Sequence, residues 1–311
     1  MRAGLSDRPF SLTFCLRPNL PVISFAQKSC RRRRNVHIAQ MRENDIPFAV
    51  SLTNHEGWGN LPADFARILA LNPHESFVAW ENEGPIGIIT SCIYGDHAFL
   101  GDLIVLPGHR RKGIGEALMR RVVDHVRGRG VTSIELDGTF AAVPLYRRLG
   151  FQDKYLSMRF RRPGGEQTLD RRPAAEFSLQ EVISLDRRLT GLDHSTLLSR
   201  FLEEFKDSAY IERENGRLAG YTVVCPRADG AHAIGPLVAE SADTAESLLV
   251  AAINEFGHAP LVIGLLQPIY PFTEILLRYH FNYGPPSLRM FLGQRRNYEK
   301  HMYGIISADM G

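Results

Sequence analysis

A basic, glycine-bearing loop follows an apolar run in the first half of the chain. Residues 103–106 predict a strand that Pro107 ends, and apolar residues recur at helical spacing beyond the loop. At a helix start, unpaired N–H groups meet the positive end of the helix dipole, and glycine lets an anion reach the backbone. The segment therefore predicts a phosphate-binding site, made by these residues: Arg110, Arg111, Lys112, Gly113 and Gly115.

The surrounding pattern predicts the elements that position this loop. We expect a strand at 36–39, helices through 46–52 and 62–71, strands at 77–80, 86–89 and 99–106, a long helix after the loop, a strand at 133–136, a helix at 141–149 and a strand at 156–160. Strands and helices alternate irregularly, and a hairpin signal joins two of the strands. This order predicts a mixed α/β fold.

The second half repeats the first in a diverged form. The run that starts at Tyr210 reaches Gly220 ten residues on, as the run that starts at Phe77 reaches Gly87. In place of the basic loop, residues 239–246 contain three acids and no glycine. Acids at a helix start satisfy the dipole themselves and repel a pyrophosphate, so we expect a phosphate site in the first copy alone.

Charge and composition divide the chain into four predicted segments. Residues 1–36 hold eight basic residues against Asp7, and because the whole chain carries +3, the remainder is mildly acidic. Residues 1–35 are interpreted as a dispensable, disordered tail; a targeting peptide or translation from an upstream start are the alternatives. A catalytic domain is expected at 36–162, a linker at 163–175 and a degenerate second domain at 176–311.

Composition also limits the partners of the chain. No apolar run approaches the ~20 residues that span a bilayer, so we expect a soluble, cytoplasmic protein with no membrane partner. The four cysteines show no C-x-x-C pairing, and we expect neither a disulfide framework nor a metal site. Nucleic acid is an unexpected partner for the acidic body, and the chain is expected to be a monomer or a homodimer.

Two motifs together resemble the GCN5-related N-acetyltransferases. Arg110-x-x-Gly113-x-Gly115 between a strand and a helix resembles the acyl-CoA signature of that family, and residues 145–151 resemble its second motif, an aromatic residue followed by Gly-Phe. Further marks resemble its two-domain, YitH-like bacterial subgroup: residues 56–58, 63–65, 72–73, 136–139, 234–236 and 289–293. The resemblance implies tandem domains, each a mostly antiparallel mixed sheet flanked by helices.

The resemblance also implies how acetyl-CoA would bind. The N–H of Leu103 would contact the acyl carbonyl, and the strand at Ile104 and Val105 would pair with the pantetheine arm. Thr139 would contact pantetheine as well. The pyrophosphate would lie on the backbone of the loop and the first helical turn: Arg110, Arg111, Lys112, Gly113, Ile114, Gly115 and Glu116.

By the same resemblance, the reaction would be direct acyl transfer to a primary amine. Tyr146 would bind the cofactor and protonate the departing thiolate, and Leu276 at the equivalent second-half position cannot do so. The base is open between Asp102, Glu56, His55 and a water chain, because the usual position aligns with Phe99. His55 and Trp58 would contact the substrate, and Arg289 to Gly293 is expected to be a structural edge strand and turn.

Two functions remain open on the sequence. One is an acyl-CoA N-acyltransferase that acts on a small-molecule, peptide or protein amine. The other is a non-catalytic acyl-CoA-binding sensor or interaction protein, in which the second copy does the recognising.

Overall fold

A computed structural model describes residues 36–165 and 177–311. In these ranges the chain forms one twelve-stranded sheet with eight α-helices and short 3-10 turns. The strands are β1 (Val36–Gln40), β2 (Phe77–Glu81), β3 (Gly84–Tyr94), β4 (His97–Val105), β5 (Ser133–Gly138), β6 (Gln152–Arg162), β7 (Ala209–Glu214), β8 (Arg217–Pro226), β9 (His232–Ala239), β10 (Leu261–Leu266), β11 (Asn282–Gly293) and β12 (Met302–Gly304). The helices are α1 (Ile46–Glu56), α2 (Pro62–Leu71), α3 (Ile114–Gly128), α4 (Val143–Arg148), α5 (Leu179–Thr190), α6 (Ser195–Glu204), α7 (Ala242–Phe256) and α8 (Phe272–Arg278).

The predicted elements of the first half are present and close to their expected bounds. The helix after the basic loop forms because its apolar residues share one face, and all six of the following are buried: Ile114, Leu118, Met119, Val122, Val123 and Val126. Pro62 stands at the first turn of α2, where no helical N–H bond is lost. The mixed α/β fold predicted from the sequence is thereby confirmed.

The two halves exchange their last strands at the centre of the sheet. The strand order is β1-β2-β3-β4-β5-β11-β6-β10-β9-β8-β7, with β12 beside β9. The second half's β11 therefore lies between β5 and β6, and the first half's β6 pairs with β10. Each half completes its neighbour's part of the sheet.

The position of β11 corrects one expectation. Residues 289–293 were expected to form an edge strand, but they lie in the interior of the sheet and pair with β5 on one side and β6 on the other. Arg289 is fully buried there. An arginine inside a central strand is costly unless its charge is paired, and the sequence pattern alone does not show the partner.

Two parallel strand pairs open part-way along their length. In the first half β4 pairs with β5 from His97 to Leu100 and then leaves it. In the second half β9 pairs with β10 from His232 to Ile234, and β12 then takes the place beside β9 at Leu237 and Val238. The first opening is thus free of a protein strand in the described ranges, whereas the second is filled by the chain's own C-terminal segment.

The division into domains at 36–162 and 176–311 stays a prediction, since the described residues from 36 onward form one compact unit. The expectations for the tail at 1–35 and for most of the linker at 163–175 concern residues outside the described ranges. Within those ranges, no helix is both long and apolar enough to cross a bilayer.

Candidate active site

The basic loop presents a row of free backbone amides at the start of α3. Within the described ranges, the amides from Arg111 to Glu116 donate no hydrogen bond to the protein, and the first helical bond runs from Ala117 N to Gly113 O, 2.9 Å. Gly113 has φ +82°, a conformation that favours glycine, and a Cβ built there would meet no atom within 4 Å. These amides therefore form an open cradle of the size and polarity that suit a phosphate.

Arg110 is held beside this cradle by two partners. Its Nε donates to Val105 O at 2.8 Å, which ties the loop to the end of β4. Its terminal nitrogen donates to the carboxylate of Glu56 at the end of α1. Glu56 also lies 3.6 Å from the ring of His55. Two predicted site residues, Arg110 and Glu56, are thus in contact. The carboxylate of Glu56 offsets the positive charge of the loop arginine.

The strand before the loop changes direction at Asp102. This residue has φ +46°, a left-handed conformation that is uncommon for residues other than glycine, and the β3–β4 register shifts at the same place. Leu103 is half-buried, and Ile104 and Val105 are buried, in the part of β4 that has left β5. This irregularity opens the slot between the two strands.

Tyr146 lies on the far side of the slot, on α4. Its ring packs against Gly138, where a Cβ would come within 2.8 Å of the ring, and lies 6.1 Å from Phe151 between centroids. Burial raises the pKa of the phenol above its ordinary value, so the group stays protonated at neutral pH. The neighbouring Leu145 reaches within 3.7 Å of a Cβ built at Gly115, so α4 and the loop are in contact.

Asp102 lies on the face of the sheet that bears α1 and α2. Thr90 donates to its carboxylate at 3.0 Å. Burial, and then the neighbouring carboxylate of Asp309, raise the pKa of Asp102 well above the ordinary aspartate value. Asp309 comes from the last residues of the chain and is 7% exposed. Sequence patterns could not predict this proximity, because 207 positions separate the two residues.

The remaining predicted residues lie around the mouth of the site. Trp58 is half-buried against the core beneath α1 and α2, and its carbonyl accepts a hydrogen bond from Arg227 of the second half. Thr139 is exposed just after β5, and its carbonyl accepts from Ala142 N at 2.8 Å. The segment between α1 and α2 therefore contacts the second half.

Residues 177–311 contain no equivalent opening. A Cβ built at Gly235 would lie 2.0 Å from the carbonyl oxygen of Ile305, because the segment after β12 passes directly over this glycine. Ile305 N also donates to Gly264 O at 3.0 Å, across the gap between β9 and β10. Leu276, at the position equivalent to Tyr146, is completely buried. The chain itself occupies the place where the first half has a slot.

Comparison with known proteins supports the assignment of both halves. A family model described as the acetyltransferase (GNAT) family matches residues 41–151, and one described as an acetyltransferase (GNAT) domain matches residues 182–304. Holothin acyltransferase from Pseudoalteromonas sp. (strain SANK 73390) is 24% identical over 267 residues, which cover 82% of this chain and 88% of that protein.

Two solved structures share the fold over most of the chain. A putative acetyltransferase from Pyrococcus horikoshii matches with a TM-score of 0.74 at 23% identity. The match covers 89% of this chain and 96% of the Pyrococcus chain. A tandem GNAT protein from the clavulanic acid biosynthesis pathway has a TM-score of 0.59 at 14% identity, with coverages of 84% and 99%. With both halves matched by models of one family, the chain belongs to the GNAT acetyltransferases and is an N-acyltransferase with two GNAT domains in tandem.

Proposed function

We propose that this chain transfers an acetyl group from acetyl-CoA to a primary amine, at one site in the first half. The observation that carries the proposal is the row of free amides from Arg111 to Glu116, placed at the mouth of the opening between β4 and β5. With its pyrophosphate bound in that cradle, the rest of the cofactor would lie along β4 at Leu103, Ile104 and Val105.

The residues present fit the cosubstrate in two respects. The cradle is open above Gly113, so the backbone can approach an anion closely. The pairing of β4 with β5 stops at Leu100, so the backbone of β4 beyond that residue faces an open slot. The extended pantetheine arm could pair with this backbone like an added strand. Arg110 and Lys112 would supply positive charge, and Thr139 lies at the carboxyl end of the adjoining strand.

Tyr146 is the proposed proton donor for the departing thiolate. Burial raises the pKa of the phenol, so it remains protonated at neutral pH and holds a proton that can pass to the sulfur as the C–S bond breaks. The N–H of Leu103 is the proposed donor to the thioester carbonyl oxygen, on which negative charge develops.

Asp102 is the stronger candidate for the proton acceptor. Glu56 is engaged with Arg110, and His55 is exposed, with 64% of its side chain accessible. Asp102 is next in sequence to Leu103 and has no cationic partner among the ion pairs of the described residues. A buried carboxylate with a raised pKa is a better base than an ordinary one.

The test is release of CoA from acetyl-CoA over a panel of primary amines, with the native chain and Tyr146→Phe. We expect turnover with at least one amine class and a loss of about 100-fold or more in kcat in the variant, with acetyl-CoA affinity retained. Tyr279→Phe in the second half is the matched control and should leave kcat unchanged. Tight acetyl-CoA binding without turnover on any amine would instead favour a sensor.

A further inference from the structure

The C-terminal segment connects the filled slot of the second half to the proposed active site of the first. After β12, Ile306 N donates to Gly311 O at 2.7 Å, so the last residues form a closed turn. Tyr94 of β3 donates through its hydroxyl to Met310 O at 2.9 Å, which fixes this turn on the first half. The second half thus supplies a piece of chain to the catalytic half.

This turn brings a carboxyl group against the bend of β4. A Cβ built at Gly101 would lie 2.7 Å from Cα, Cβ and the carbonyl oxygen of Asp309, so only glycine allows so close an approach. Asp102 follows directly, and Asp102 and Asp309 are 5% and 7% exposed. Burial, and then the charges of Asp309 and Asp102, raise the pKa of the nearby Cys92 thiol to about 12, so both carboxyl groups lie near the same buried side chain.

The groups that face the carboxyl pair are mostly neutral or acidic. Hydrogen bonds reach the pair from Thr90 and Asn60, the latter at 3.4 Å to Asp309. The other groups that influence the pair electrostatically or by hydrogen bonding are Asp64, Tyr94, Cys92, Arg227 and Ser307. Among the described residues neither Asp102 nor Asp309 forms an ion pair within 4.0 Å, and Arg227 instead bonds Trp58 O and lies 3.6 Å from Asp229.

Two buried carboxyl groups without a paired cation cannot both be ionised at low cost. They can share one proton and carry a single negative charge, as interacting acids do. Independently of the pair, the pairing of β4 with β5 stops at Leu100, and Asp102 directly precedes Leu103, the proposed thioester position. The protein places no cation within ion-pair distance of these carboxyl groups among the described residues. A cationic group of the second substrate could therefore pair with them.

We propose that Asp102 and Asp309 together bind the ammonium group of a protonated aliphatic amine and accept the proton that it must lose before attack. This inference rests on the proposed function and adds to it a substrate class and a second residue, Asp309. An amine that is already neutral, such as an aniline, would gain nothing from the pair's charge and would leave a buried carboxylate unpaired.

The proton balance of the proposed step is closed. The singly charged pair takes one proton from R–NH3+, which gives a neutral pair and a free amine. The amine nitrogen forms a bond to the acyl carbon, the C–S bond breaks, and Tyr146 protonates the sulfur. The proton that nitrogen loses on becoming an amide restores the phenol, and the pair returns its extra proton to solvent.

The first test compares Asp309→Asn with the native full chain on butylamine and longer aliphatic amines. We expect kcat/KM for the amine to fall about 100-fold while acetyl-CoA affinity stays within twofold. The pair should also lose its shared proton at a lower pH in the variant, because Asp102 then ionises without a like-charged neighbour. Asp207→Asn, on an exposed turn, is the control. An unchanged kcat/KM for butylamine in Asp309→Asn, or aniline accepted better than butylamine, would overturn the inference.

A second test does not need turnover. Infrared titration of the native chain should show a protonated carboxyl band at neutral pH, whose midpoint moves to lower pH in Asp309→Asn and in Asp102→Asn. A native chain without this band overturns the shared proton. If the band is present and butylamine binds but no amine is acetylated, the proposed function fails while the carboxyl pair stands.

Discussion

Arg289 of the second half donates two hydrogen bonds to Asp137 of the first, from Nε to Oδ1 at 2.8 Å and from a terminal nitrogen to Oδ2 at 3.0 Å. Both side chains are buried, and Arg159 adds a third bond to Asp137 at 2.9 Å. Burial alone would raise the pKa of Asp137, but the two guanidinium groups outweigh it and hold that pKa well below the ordinary value. The pair fixes β11 against β5 where the strands are exchanged.

Removing one partner of this pair should destabilise the chain strongly. Arg289→Ala leaves Asp137 buried with only the partly exposed Arg159 as a counter-charge, and we expect a loss of about 3–5 kcal/mol in the free energy of unfolding. Urea denaturation followed by circular dichroism measures it. Arg188→Ala, which breaks an exposed pair with Glu240, is the control and should cost less than about 1 kcal/mol. Equal effects from both variants would contradict the argument.

The strand exchange predicts that the halves do not fold apart. Residues 36–165 alone would leave β5 without β11 and β6 without either neighbour, and an edge of that kind aggregates. We expect that fragment to show no cooperative unfolding and no acetyl-CoA binding, and co-expression with residues 166–311 to restore both. Size-exclusion chromatography with calorimetry measures the outcome. An isolated first half that binds acetyl-CoA with native affinity would contradict it.

The sequence predicted the local parts of the fold and of the site but not what joins them. Helical periodicity located α3, and the glycines with their basic neighbours located the loop, because these signals lie within about fifteen consecutive residues. The exchange of β6 and β11 depends on which edges meet, and the repeat predicts the same strands whether or not they are exchanged. For the same reason Asp309, Asn60 and Arg227 could not be assigned to the site from sequence. Only the chain path brings them there.

The cofactor loop can be tested with a matched pair at Gly115. This residue lies in the first turn of α3 with ordinary contacts to a built Cβ, 3.7 Å to Leu145 and 3.8 Å to Val105, so Gly115→Ala should bind acetyl-CoA with little change. Gly115→Asp adds a negative charge beside the pyrophosphate position, while aspartate suits a helix start and does not unfold it. We expect its affinity to fall at least about 100-fold by calorimetry. Equal affinities in both variants would remove the loop from the site.

Glu56 should prove to be a positioning residue. Glu56→Gln keeps the shape of the side chain but replaces the ion pair with Arg110 by a neutral hydrogen bond. We therefore expect acetyl-CoA affinity to change by less than about tenfold. The acidic limb of the kcat/KM profile should keep its place, since no base has been removed. Arg120→Gln on the exposed face of α3 serves as the control. A limb that moves in Glu56→Gln would make Glu56 the base in place of Asp102.

The carboxyl pair also predicts a pH dependence of stability. Burial raises the folded-state pKa of Asp102 and of Asp309, so above the ordinary aspartate pKa the folded chain keeps protons that the unfolded chain has lost. Their contribution is therefore fully present below that value and is lost as pH rises through the raised pKa values.

Asp309→Asn removes one of the two groups and lowers the pKa of the other. Relative to the native chain, the variant should gain stability as pH rises from about 4 to about 8. The low pKa of Asp137 has the opposite effect but is common to both chains and cancels. Urea denaturation at each pH measures the difference, with Asp207→Asn as the control. Curves for Asp309→Asn that run parallel to the native curve would show that the two carboxyl groups do not share a proton.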